Sequence, residues 1–148
     1  YFITLDAGGF VPAAAARGVF GLPYFSATMA VGAAGEEIRY RSVRNTRMPV
    51  PAEFEATYRP LGPVQAPLPG TLEHFLTERY CLYTVDGSRH VRRLQIHHPP
   101  WPLQQAEAAI TVNTMTAAAG IGLPSTAPRL HFSRRQDVVA WPMERVGW

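Results

Sequence analysis

Alternating polar and apolar residues along this chain predict a fold built mainly from short β-strands. Residues 37–44 carry one such alternation, and residues 54–59 carry a second one. A period of two is the pattern of a strand with one buried face. If the two strands pair, charged side chains meet across the ladder: Arg39 and Arg41 against Glu55 and Arg59.

Turn residues divide the rest of the chain into further short elements. Additional strands are predicted at residues 1–5, 24–31, 80–85, 90–98, 107–112, 130–132 and 138–141. Helices are predicted at residues 12–20, 71–79 and 113–119, the second of them capped by Thr71. Turns or loops are predicted at residues 6–9, 32–35, 45–51, 60–69 and 86–87. Many short strands with few short helices indicate a mainly β (α+β) domain, either an antiparallel barrel or a sandwich.

The bulk composition indicates one globular domain, because 148 residues supply enough apolar material for a core. Hydrophobic residues make up 47% and charged residues 17%, which excludes a disordered chain. No apolar run approaches the ~20 residues that cross a bilayer, so no membrane partner is expected. The single Cys81 is predicted to be a small buried strand residue, and a lone cysteine fits a reducing, cytoplasmic setting. Because Tyr1 begins a strand already in progress, we expect an N-terminal portion of the natural protein to be missing.

The basic residues narrow the possible chemistry, since all 14 of them are arginine. Without a lysine amine, Schiff bases, pyridoxal phosphate attachment and P-loop phosphate binding are excluded, because guanidinium is a poor nucleophile. We expect no cofactor. Only Arg92-Arg93 and Arg134-Arg135 are adjacent pairs, and scattered arginines do not predict a nucleic-acid partner.

The densest set of reactive side chains lies in residues 69–83. Glu73 and Glu78 are candidates for acid–base catalysis if one of them has a raised pKa. The alternative is a structural pairing of these acids with Arg79. His74 and Glu78 share a helix face, but zinc needs three or four ligands, so no metal site is expected.

A second unusual segment is the proline-rich run of residues 97–103, HHPPWPL. Its three prolines stiffen the backbone and hold Trp101 in a fixed direction. Such a segment suits a ligand-binding wall or a loop that plugs the end of a barrel, and we favour the plug. His97 and His98 are strand neighbours that point to opposite faces, so the two together do not predict a metal site.

Several segments resemble the YqjF-like family of uncharacterised bacterial proteins: residues 21–25 (GLPYF), 56–60 (ATYRP), 71–83 (TLEHFLTERYCLY), 97–103 (HHPPWPL) and 130–132 (LHF). That family is related in fold to acetoacetate decarboxylase. The resemblance therefore implies that residues 1–148 form a single large antiparallel β-barrel of the acetoacetate decarboxylase-like type, with its site in the interior. It also implies that the missing N-terminal portion belongs to this same domain.

The resemblance also bears on the reaction. In the decarboxylases a catalytic lysine pair follows a proline, whereas Tyr24 and Phe25 follow Pro23 here. The resemblance thus implies that this chain does not decarboxylate through an imine.

Three hypotheses for function follow. The first is a barrel that binds a small anionic or carbonyl-bearing molecule, with these ligand-binding candidates: Tyr24, Arg59, Glu78, Arg79 and His97. The second is a lysine-independent enzyme of lyase or hydrolase type, with Glu73 or Glu78 as the acid or base and Tyr24 polarising a carbonyl. The third is a filled barrel without a ligand that has a structural or interaction role. We also consider that the chain could form a homo-oligomer, because exposed strands of a barrel often pair.

Overall fold

The computed structural model describes residues 4–45 and 51–147. In these ranges ten strands and three helices follow one another as β1 (Leu5–Gly8), α1 (Phe10–Phe20), β2 (Tyr24–Ala34), β3 (Glu37–Arg44), β4 (Glu53–Gln65), α2 (Leu72–Thr77), β5 (Cys81–Val85), β6 (Val91–His97), β7 (Leu103–Asn113), α3 (Met115–Ala118), β8 (His131–Phe132), β9 (Val139–Ala140) and β10 (Glu144–Arg145). Strands dominate, so the predicted mainly β class with a few short helices is confirmed. The residues group into two compact units, Tyr1–Pro60 with Ala106–Leu130 and Leu61–Gln105 with His131–Trp148.

The longer sheet has the strand order β1-β2-β3-β4-β7-β8. β2, β3 and β4 are antiparallel neighbours, and Arg41 of β3 stands opposite Glu55 of β4, with their charged atoms 3.4 Å apart. β1, however, lies parallel to β2, with Leu5 opposite Tyr24. The expectation of a wholly antiparallel sheet is wrong here, because α1 returns the chain to the start of β2 and parallel neighbours need such a crossover.

Two predicted turns are shorter than expected. The predicted turn at residues 6–9 contributes to β1, which runs to Gly8. The predicted turn at residues 32–35 contributes to β2, which runs to Ala34 and leaves Gly35 and Glu36 as the turn. Gly35 has φ +63°, and a glycine at the first central position permits a tight two-residue hairpin.

The predicted loop at residues 60–69 is strand in its first half, because β4 continues to Gln65. Pro60 and Pro63 lie beyond Tyr58, the last residue of β4 that pairs with β3. Their missing N–H groups therefore cost no hydrogen bond of that ladder. The predicted loop at residues 45–51 and the first strand at residues 1–5 fall largely outside the described residues.

Small side chains form the core of the first unit: Ala13, Ala27, Ala52 and Ala56. Two polar residues of β3, Ser42 and Arg44, are buried with them. Because buried polar groups in folded proteins are hydrogen-bonded, these two side chains need partners of their own.

The shorter sheet lies in the second unit, where β6 has β5 on one side and pairs with β9 and β10 as well. The hairpin predicted at Asp86 joins β5 to β6, with Leu82 opposite Leu94. Cys81 is exposed, so its predicted burial is wrong. Strand alternation gives the reason: Leu82 and Thr84 occupy the more protected face of β5, which turns Cys81 outward.

The remaining elements match their predicted positions, with ends shifted by a few residues. β10 has no counterpart in the sequence-based expectation. No helix among the described residues has the length and apolarity that a membrane span requires.

Candidate functional site

The junction between α2 and β5 positions the candidate residues of the second unit. Thr71 caps α2 as predicted, because its hydroxyl oxygen accepts the backbone N–H of His74 at 3.2 Å. The helix ends at Thr77, and Glu78 caps it, because the Glu78 N–H donates to the carbonyl oxygen of His74 at 2.9 Å. This early end, before the predicted Arg79, turns the Glu78 carboxyl toward the start of β5.

The carboxylate of Glu78 is divided between two environments. Its Oε2 atom accepts a hydrogen bond from the phenol of Tyr80. Its Oε1 atom is buried and has no hydrogen-bond partner among the described residues. The hydrogen bond to Glu78 raises the pKa of Tyr80, with partial burial and the negative charge of Glu78 acting in the same direction. The pair thus holds one phenol proton and offers one unused carboxylate oxygen.

The proline-rich corner packs rings against Tyr80. The ring of His98 stacks on Tyr80 at 4.8 Å between centroids, and the ring of His97 lies at 6.2 Å. Trp101 meets His98 edge-on at 6.1 Å. His98 is only 3% exposed, and its two ring nitrogens lie 3.2 Å and 2.9 Å from the carbonyl oxygens of Arg79 and Pro99. The segment therefore joins the end of β6 to the start of β5.

Arg79 is exposed beside this cluster. Its guanidinium carbon lies 3.7 Å from the centroid of the Phe75 ring, a cation–π contact within α2 and its end. Glu78, Arg79 and His97, three of the predicted ligand contacts, are thus close neighbours around Tyr80. Sequence reasoning missed Tyr80 and His98 as members, although the two aromatic-rich segments that hold them were the visible signal.

A groove of about 470 Å³ lies elsewhere in the second unit, along the end of β4 and the start of β7. Apolar side chains line part of it: Leu61, Pro63, Leu68 and Leu103. Polar side chains line another part: Gln65, Thr71, Glu73, Gln104, Gln105 and His131. Gln105 Nε2 and His131 Nε2 lie 3.2 Å apart, and Gln104 Nε2 donates to the carbonyl oxygen of Gly62 at 2.9 Å. Sequence reasoning placed only Glu73 near a site.

The remaining two candidates belong to the first unit. Tyr24 opens β2, is half-buried, and its N–H donates to the carbonyl oxygen of Leu22 at 2.8 Å. Arg59 forms an ion pair with Glu107, and both line a groove of about 570 Å³. Glu36 and Glu37 line the same groove, so its walls carry more acid than base. Arg59 is therefore already neutralised in this structure.

The first unit also contains a buried polar cluster that sequence reasoning did not find. The Nε atom of Arg44 donates to Asp6 Oδ1 at 2.6 Å, and the Ser42 hydroxyl donates to Asp6 Oδ2 at 2.7 Å. The guanidinium of Arg44 also donates to the Thr4 hydroxyl and lies 4.1 Å from the centroid of the Phe25 ring. Every group named here has a partner, so we interpret the cluster as a structural feature that stabilises the first unit.

Metal coordination gains no support from these arrangements. No group of three or more His, Cys, Asp or Glu side chains that could hold a metal occurs within residues 4–45 and 51–147.

Comparison with known proteins gives the family. The model of the DUF2071 family, described as an uncharacterized conserved protein, matches residues 1–137. The chain belongs to the DUF2071 family. It is also 43% identical over 145 residues to the uncharacterized protein YqjF of Bacillus subtilis, a match that covers 98% of this chain and 59% of that relative. The chain thus spans less than two thirds of the relative's length. No solved structure matches the chain.

The DUF2071 match runs through both units and includes every candidate residue described above. The expected YqjF-like resemblance is confirmed at the level of the family. The family description assigns no chemistry to its members.

Proposed function

We propose that this DUF2071 chain binds a small, carbonyl-bearing or anionic molecule in the groove of the second unit. The observation that carries the proposal is the composition of that groove, in which hydrogen-bonding side chains, mostly uncharged and including the acid Glu73, face apolar ones. A volume of about 470 Å³ falls in the range of ordinary small-molecule sites, which are mostly apolar with a few placed polar groups.

The polar groups favour a carbonyl over a fully charged ligand. None of the groove's lining residues in the described part of the chain is an arginine. Gln105 offers amide N–H donors, and His131 offers ring nitrogens whose donor or acceptor roles depend on its tautomer. A ketone, or a keto acid with its carboxylate toward His131, meets these groups with its carbon skeleton against Leu61 and Leu103.

Binding of this kind is noncovalent. None of the 148 residues is a lysine, so the chain has no side-chain amine with which to form an imine. The fold proposed for this function is the acetoacetate decarboxylase-like barrel. The order β1, α1, Pro23 and an aromatic pair, Tyr24 and Phe25, supports it, because the same order surrounds the lysine position in that fold. Within this proposal a single domain and a cytoplasmic location remain predictions.

A thermal-shift screen tests the proposal. The full chain is heated with acetoacetate, levulinate, isobutyrate and neutral ketones, and we expect a rise in Tm that grows with ligand concentration. Gln105→Leu and His131→Leu should reduce the rise, whereas Gln95→Leu, an exposed position of β6, should leave it unchanged. A native fold with no rise across the panel, or an equal rise in Gln105→Leu and Gln95→Leu, would contradict the proposal and favour the third hypothesis, a structural role.

The contacts predicted from sequence form a separate part of the test. Tyr24, Arg59, Glu78, Arg79 and His97 do not line the groove of the second unit. If Arg59→Gln or Arg79→Gln reduces the thermal shift while Gln105→Leu does not, the ligand lies at those residues instead.

A second candidate function is a lysine-independent enzyme that uses Glu78 as a base. The specific observation in its favour is the buried Oε1 atom of Glu78, which has no hydrogen-bond partner among the described residues. Tyr24 belongs to the first unit and Glu78 to the second, so their joint action is a separate prediction. Exchange of the α-hydrogens of a bound ketone with deuterated water, followed by NMR, should be lost in Glu78→Gln and kept in Glu73→Gln. Equal exchange in both variants would exclude Glu78 as the base.

A further inference from the structure

Strand β5 has a free edge. Among the described residues its single strand neighbour is β6, with Cys81 opposite Gln95 and Val85 opposite Val91. A free edge presents unpaired N–H and C=O groups and is a template for another strand.

The hydrogen bonds at the two ends of β5 define which residues face that edge. The carbonyl oxygen of Tyr80 accepts from Ile96 at 2.9 Å, and the N–H of Asp86 donates to His90 at 3.0 Å. Antiparallel strands alternate between residues that bond their neighbour and residues that point away from it. Even-numbered residues of β5 therefore bond β6, and the odd-numbered ones direct their backbone groups to the free edge: Cys81, Tyr83 and Val85.

Nothing in this edge resists pairing. Residues 81–85 contain no charge, no proline and no glycine, which are the usual means by which edge strands avoid association. The Tyr83 and Val85 side chains are 56% and 58% exposed, and Cys81 is exposed on the same face. The strand thus combines unpaired backbone groups with an uncovered apolar face.

We propose that β5 is a homodimer interface, at which a second copy of this chain adds its own β5 antiparallel to the first, about a twofold axis at Tyr83. In this register Tyr83 faces Tyr83 of the second copy, and Cys81 faces Val85. All three edge-directed residues then form hydrogen-bonded pairs. The N–H and C=O groups that β5 leaves free are therefore those that the β5 strand of a second copy needs in this register. A twofold contact of this kind is closed and stops at the dimer.

Charge selects this orientation. Arg79 precedes β5 and Asp86 follows it. Antiparallel pairing places the basic end of each strand beside the acidic end of the other, whereas parallel pairing places like charges together. The complementarity argues for a second copy, because an unrelated extended peptide need not carry an acid and a base at this spacing. The paired segment is short, so the dimer forms in a concentration-dependent way.

Cross-linking tests the register. In a Cys81→Ser background, Tyr83→Cys brings two cysteines together across the axis, since hydrogen-bonded residues face each other at about 5.5 Å between Cα atoms. That distance lies within the range of about 4.4–6.8 Å for disulfides. We expect a disulfide-linked dimer under mild oxidation. Val31→Cys in the same background is the control, since Val31 is 70% exposed and lies in β2. Equal cross-linking of the two variants would overturn the proposed register.

Sedimentation of the unmodified chain tests the dimer itself. We expect an equilibrium between one and two copies that shifts to monomer in Tyr83→Lys, because the two lysines face each other. The control is Gln95→Lys, which adds the same charge on β6, opposite Cys81. Because β6 is not the edge strand here, this variant should dimerise as the wild type does. A wild-type chain that is monomeric up to its solubility limit would overturn the proposal. So would Tyr83→Lys dimerising as strongly as Gln95→Lys, or association of wild type only with a foreign extended peptide.

Discussion

Asp6 and Arg44 form a buried ion pair in the first unit, with Arg44 Nε 2.6 Å from Asp6 Oδ1 and side chains only 9% and 2% exposed. Asp6 lies in β1 and Arg44 at the end of β3, so the pair ties both strands together across β2. Ser42 donates to the second carboxylate oxygen at 2.7 Å, which leaves both oxygens of Asp6 hydrogen-bonded.

Removing one charge of this pair should be strongly destabilising. In Asp6→Asn the guanidinium of Arg44 stays buried without its counter-ion, and breaking a buried pair in this way costs about 3–5 kcal/mol. Urea unfolding at neutral pH measures the loss. Asp137→Asn is the control, because its pair with Arg135 is 70–79% exposed and should matter little. Equal midpoints for the two variants would contradict a structural role for the buried pair.

The turn between β2 and β3 should tolerate only glycine at Gly35. Gly35 has φ +63°, and a Cβ atom there costs about 1–2 kcal/mol in the left-handed region even though no neighbouring atom obstructs it. Gly32→Ala is a matched control, since Gly32 has equally open space and no positive φ. We expect a lower urea midpoint for Gly35→Ala alone. If the urea midpoint of Gly32→Ala falls as much as that of Gly35→Ala, the turn assignment is wrong.

The carboxyl of Asp86, in the hairpin between β5 and β6, should make the free energy of unfolding depend on pH in the acidic range. The backbone N–H of His90, with smaller contributions from the Ser88 N–H and the charges of His90 and Arg92, lowers the pKa of Asp86 below its ordinary value. A lowered pKa in the folded state stabilises the fold above the unfolded-state pKa, and this stabilisation is lost as pH falls through the folded-state pKa.

Asp86→Asn tests this dependence, because it keeps an acceptor oxygen but removes the charge. The variant should be less stable than the wild type at neutral pH, and the difference should shrink below about pH 4. Urea midpoints across that range measure it. A difference that stays constant down to strong acid would show that the charge of Asp86 is not involved.

Because of Glu78, Tyr80 should lose its phenol proton at a higher pH than an ordinary tyrosine does. The hydrogen bond to Glu78 raises the pKa of Tyr80, so the stability it contributes is present below pH 10 and is lost as pH rises through the raised value. Glu78→Gln removes the negative charge. In a spectrophotometric titration we expect one of the six tyrosines to ionise at lower pH in that variant. Tyr80→Phe identifies the shifted group, and Glu73→Gln should leave the curve unchanged.

Local patterns were sufficient for much of the fold. The alternation at residues 37–44 predicted β3, and the Asp86-Gly87 turn predicted the β5–β6 hairpin. Thr71 predicted the start of α2. These features depend on neighbours in the sequence, where strand period, turn geometry and capping act over a few residues.

Features that depend on distant partners were missed or wrong. The parallel pairing of β1 with β2 requires the crossover through α1, and no residue of β1 by itself reveals its direction. Cys81 was predicted to be buried because cysteine usually is, whereas the face of a strand depends on what packs against it. The extension of β4 across Pro60 depends on which ladder that segment joins.

The candidate site divides in the same way. The sequence by itself determined that no lysine chemistry is open to these 148 residues, and that carboxylates, arginines and histidines concentrate near residues 73–98. Only the tertiary structure decided that Glu78 bonds Tyr80, that His98 is the buried histidine, and that Asp6 belongs with Arg44. The physical reason is that composition limits which reactions exist, while burial and hydrogen bonding arise from residues far apart in the chain that folding brings within about 3 Å.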